Sequence, residues 1–113
     1  MANNIAFQAN GKTTRINVTT AANTVAILSD SPSNQVRVHN GTAAEVFVRL
    51  SNSSTGDAVV PVAGTPSYGM VLHNNATIIL TTPAQSSNTA TLYLSAIVAS
   101  GTGIVYATPG EGL

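Results

Sequence analysis

Apolar and polar residues alternate along much of this chain. In "TRINVT" Ile16 and Val18 lie between Arg15, Asn17 and Thr19, and "QVRVHN" and "EVFVRLS" repeat the pattern. A period of two puts successive side chains on opposite faces of a strand. No window places apolar residues at helical spacing over three turns. Strands are predicted over residues 5–8, 13–19, 24–28, 35–39, 45–51, 58–62, 69–72, 77–81, 91–99 and 104–108. Turn signals at Asn10-Gly11, Asn40-Gly41, Gly56-Asp57 and Gly101-Thr102-Gly103 separate several of these runs. Eight to ten short strands, with no internal repeat and no dividing linker, imply an all-β single domain over residues 1–113. It is either an antiparallel β-sandwich or a small barrel. Residues 1–10 are expected to form an N-terminal arm or an edge strand. The five prolines are expected between strands or at their ends, where a missing N–H does least harm.

Two hairpins are predicted in detail. Pairing His39 with Glu45 sets Val38 opposite Val46 and Val36 opposite Val48, giving one wholly apolar face. A one-residue slip would mix the faces, so this register is preferred, with an odd-numbered loop around Gly41-Thr42-Ala43. Arg37 would then stack on Phe47, a contact of about 0.5–1 kcal/mol if exposed. The second hairpin turns at Gly101-Thr102 and pairs Val98 with Val105 and Ala96 with Ala107. Its other face pairs Ile97 with Tyr106 and Ala99 with Ile104. Both faces are apolar near the turn, although a sandwich sheet has one inner face. The second face requires a cover, either a loop of the same chain or another subunit. The turn at Pro109–Gly112 is expected to cap a sheet edge.

Composition narrows the function. Charged residues are 7% of the chain and the formal net charge is zero, against roughly a quarter charged in ordinary domains. Such a surface resists association poorly. Neutral runs such as "ATIILTT" and "LYLSAIVA" carry almost no flanking charges to protect them as exposed edges. Both features point to a structural, oligomeric role. Aromatics are only 4%, so the core is built from Val, Ile, Leu and Ala. The four cations Lys12, Arg15, Arg37 and Arg49 are scattered, and no nucleic-acid partner is expected. No run reaches the ~20 apolar residues of a membrane helix, and "MANNIAFQANGK" lacks the basic start and apolar centre of a secretory signal. There is no cysteine, hence neither a disulfide framework nor thiolate chemistry.

Acid–base chemistry would have to come from His39, His73, Asp30, Asp57, Glu45 and Glu111, and nothing in their spacing gathers them. His39 and Glu45 read as a cross-strand ion pair, and His73 in "HNN" as a surface turn residue. No nucleophile elbow is present. Two distant histidines without cysteine make a poor metal site, and neither "GTG" nor "PGEG" precedes a helix that could cradle phosphate. The chain is therefore read as a non-enzyme without catalytic, metal-binding or cofactor-binding residues. The glycosylation-type triplets at Asn17, Asn40, Asn52 and Asn75 are put down to a composition rich in Asn, Ser and Thr.

The order "QVRVHNGTAAEVFVRLS", "VVPVAGTPSYGMVLHNNATIILTT", "TLYLSAIVASGTGIVYATPGEGL" resembles small virion proteins of tailed bacteriophages, over about residues 35–113. The "ASGTGIVYATPGEG" tail is its most specific part. The resemblance implies a capsid cement or decoration protein with a jelly-roll-like sandwich. Such a protein would sit on the virion exterior after synthesis in the host cytoplasm. Its implied partners are the major capsid protein and further copies of itself, as a dimer or trimer. Residues 2–9 are expected to act as an arm or edge strand, with Ile5, Phe7, Ile97, Ile104 and Tyr106 as interface residues. A carbohydrate-binding sandwich of a head fibre or tail, with Tyr68 as the one aromatic in an evident loop, is the alternative. A neck or tail component with the same fold is another.

Overall fold

The computed structural model describes residues 7–9, 11–28, 34–52, 54, 58–82 and 92–111. Among these residues there are nine strands and no helix: β1 (Gln8–Ala9), β2 (Thr14–Val18), β3 (Asn23–Ile27), β4 (Gln35–Asn40), β5 (Val46–Ser51), β6 (Met70–Leu72), β7 (Thr77–Thr81), β8 (Leu92–Val98) and β9 (Gly103–Glu111). They form two antiparallel sheets. In the first, β9 pairs on one side with β1 and β2 in succession and on the other with β4, which pairs with β7. The second runs β3-β8-β5-β6. From β2 onward the chain changes sheet at every connection except β5 to β6. Two separate sheets make a sandwich and exclude the barrel.

The alternation seen in sequence packs the core. Ile16, Val18, Val36, Val38, Val105 and Ala107 of the first sheet face Ile27, Val46, Val48, Leu72, Leu92, Leu94, Ala96 and Val98 of the second. All are buried, and each larger side chain contributes about 1.5–3 kcal/mol by leaving water. None is aromatic.

Both predicted hairpins are wrong. β4 and β5 lie in opposite sheets, and so do β8 and β9. Val38 pairs with Ala107 and Ile78, while Val46 pairs with Val98 and Leu72. An apolar face matched to an apolar face looks the same in sequence whether two strands lie side by side or face each other across the core. The connections decide between these cases, and here they cross. Arg37 therefore does not stack on Phe47; it is next to Ile79 and Thr108.

Two further differences concern prolines. Residues 58–62 are not a strand: Val62 bridges to Thr65 in a tight turn through Gly64, whose φ is +80°. Pro109 does not begin a capping turn but lies inside β9, which continues through Gly110 to Glu111. Gly41 N–H donates to the Ile104 carbonyl, so the even-numbered residues of β9 bond to β4. Pro109 thus turns its nitrogen to the other side, between the stretches of β9 that pair with β1 and with β2. A central proline is tolerated at such a break.

Candidate interaction surfaces

The outer face of the first sheet is largely polar. Across it run Arg15, Tyr106, His39 and Thr77, paired in that order from β2 to β7. His39 Nδ1 lies 2.7 Å from Thr77 Oγ1, and its ring stacks on Tyr106 at 6.4 Å between centroids. The predicted His39–Glu45 pair is not formed: Glu45 Oε2 lies 3.0 Å from His73 Nδ1 on the surface. Ile104 is half-buried on the same outer face as Tyr106. Phe7 is half-buried, its ring so close over Gly110 that a Cβ there would collide with it. Residues 8–9 form an edge strand as β1, while Ile5 and the rest of the expected arm lie outside the described residues.

Ile97 does not share a face with Ile104 and Tyr106. It lies on the outer face of the second sheet, in a row with Phe47 and Val71. The cover predicted for a second apolar face is here partly a loop of the same chain. Ala58, 2% exposed, donates its N–H to the Ser95 hydroxyl at 3.2 Å, and Val59 N–H bonds to the Tyr68 carbonyl at 2.7 Å. Gly69, with φ +158°, passes so close to the Val59 carbonyl that a Cβ would strike it. The covering loop and β6 expose apolar side chains: Val59, Val62, Tyr68, Met70 and Val71 are 41–64% exposed.

Between this loop with β6 and the strand β7 of the other sheet lies a shallow cleft of about 290 Å³. Leu50, Met70 and Leu80 line it, with Arg49 and Tyr68 at its rim. The Arg49 guanidinium sits 3.5 Å from the centre of the Tyr68 ring. These two residues are far apart in sequence, and no local pattern announces their contact. The opposite side of the sandwich is closed by hydrogen bonds: Lys12 N–H to Leu28 O, Asn23 Nδ2 to Asn17 O and Val98 N–H to Thr19 O.

One end of the sandwich is organised by Asn40, which is fully buried. Its Nδ2 donates to the carbonyls of Ala44, Leu72 and His73, and its Oδ1 accepts from Thr42 N–H. A polar residue at the inward position after Val36 and Val38 is the signal that could have found it. Its burial also removes it from any glycosylation role. Among the described residues no three His, Asp or Glu side chains converge on a common point.

No protein-family model matches the chain, nor does any curated protein or solved structure.

Proposed function

We propose that this protein is a virion structural component, a cement or decoration protein that binds the outer surface of a phage capsid and bridges major capsid subunits by non-covalent contacts. The observation that carries this reading is the exposed apolar group on the covering loop and β6. Five large apolar side chains between residues 59 and 71 face solvent on a chain with almost no charge. Large apolar side chains exposed in such number along one stretch favour a protein contact over a solvated surface. The strand order supports the same reading. β2-β9-β4-β7 over β3-β8-β5-β6 is the order expected of a jelly roll, two interleaved Greek keys, an architecture common in viral shells. The fold alone would not carry the function. At a symmetric shell, many copies multiply a modest contact.

The test is the copy number of the protein in purified particles, measured by quantitative mass spectrometry against the major capsid protein. A number matching the capsid lattice supports cement. Six or twelve copies would move the protein to the neck or tail, and its absence from particles would overturn the reading.

A second reading is favoured by Tyr68, 59% exposed beside the cleft. An exposed aromatic next to an arginine suits a sugar-binding site. However, Arg49 already covers one face of the ring, leaving a single face for stacking. Glycan-array binding that Tyr68→Ala abolishes would favour this second reading over the first.

A further inference from the structure

We propose that β7 is a pairing edge at which two copies of this chain join antiparallel, β7 to β7, about a twofold axis through Ile79. The proposal deepens the assembly reading above by naming the self-contact. It rests on that reading only for the expectation that the chain self-associates.

The backbone phase of β7 is the first argument. Asn40 N–H donates to the Ala76 carbonyl and Thr82 N–H to the Asn34 carbonyl. With the observed register, Ile78 and Leu80 are then the residues bonded to β4. Thr77, Ile79 and Thr81 turn their N–H and C=O groups the other way, where no strand among the described residues meets them. Natural edges of this kind are protected by charges, prolines or bulges. From residue 74 to 82 the chain has no Asp, Glu, Lys, Arg or Pro, and β7 pairs with β4 over five residues without a bulge.

Self-complementarity is the second argument. An antiparallel pair centred on Ile79 sets Ile79 opposite itself and Thr77 opposite Thr81, twice by symmetry. These are the residues whose backbone groups point outward, so each opposed pair exchanges two hydrogen bonds. No like charges meet, because the strand has none. On the inner side, Ile78 and Leu80 of the second copy lie over the open side of the cleft beside Leu80 and Met70, covering apolar surface that is otherwise wet. An unrelated strand could use the same edge; a second copy does so with Ile79 against Ile79, threonine against threonine and no charge on either strand.

The experiment is light scattering of the purified full chain across a concentration series, with two variants. Ile79→Pro removes one outward N–H and leaves the β4 ladder whole. Ile79→Glu lies beside Arg37 within the chain, but it opposes its own copy across the axis. The expected result is a wild-type mass of twice the 11.4 kDa chain at high concentration. Both variants, with unchanged circular dichroism, should dissociate at least about tenfold more readily, since each symmetric change acts twice. A wild type monomeric at every concentration overturns the proposal, and so does a dimer that both variants retain. Neither result decides the copy number on particles, so the two readings fail separately.

Discussion

Asn40 shows how much one buried polar side chain can hold. It ties the β4–β5 crossing to the end of β6 through three carbonyls and the Thr42 amide. Asn40→Ala leaves those groups unmatched and should cost at least ~2 kcal/mol. Asn40→Asp keeps the shape but sets a carboxylate against carbonyl oxygens, so its urea midpoint at neutral pH should fall below that of Asn40→Ala. A tolerated Asp would contradict the assigned hydrogen bonds. Thr42 and Gly103 form a second such point. The Thr42 hydroxyl accepts from Ile104 N–H at 2.8 Å, and a Cβ on Gly103 would fall 2.5 Å from that oxygen. Gly103→Ala should destabilise by about 1–3 kcal/mol through overpacking. The loss should be smaller in a Thr42→Ala background, a coupling that a double-mutant cycle measures. Leu94, with no exposed surface, should cost about 2–5 kcal/mol on truncation to Ala.

At the scale of elements, most strands were legible, residues 58–62 being the exception, and strand partnership was not. The period of two placed Val36, Val38, Val46, Val48, Val98 and Val105 inward, and all are buried. It could not tell that Val38 and Val46 meet from opposite sheets, because both arrangements satisfy the same pattern. The sheet-changing segment after β8 carries its own signal in Gly101, whose φ is +74° with nothing within 4 Å of a hypothetical Cβ. Gly101→Ala should therefore cost about 1 kcal/mol from backbone strain alone, and Gly101→Asn less. Thermal denaturation of the two variants measures the difference. An equal effect in both would point to a steric cause instead. The Arg49–Tyr68 contact and the Ala58–Ser95 hydrogen bond were not legible, because a long connection brings them together. The neutral "TIILT" and "LYLSAIVA" runs read alike in sequence, yet β7 is the outer strand of its sheet among the described residues and β8 is an interior one.

Across the whole molecule, the two long sides of the sandwich differ. The β2/β3 side is laced by hydrogen bonds and carries Lys12 and Arg15, both able to discourage a further strand. The β6/β7 side has a cleft, an apolar covering loop and an uncharged edge. This asymmetry favours the second side for the proposed assembly, in which surface ion pairs have little part. The exposed Glu45–His73 pair should change stability by less than ~1 kcal/mol when either partner becomes Ala. Amide hydrogen exchange along β7 reads the proposed pairing directly, because Ile78 and Leu80 serve as internal controls bonded to β4. All five β7 amides should be protected at high concentration, and Thr77, Ile79 and Thr81 alone should lose protection on dilution. Unprotected exchange of those three at every concentration, with Ile78 and Leu80 still slow, would contradict the pairing.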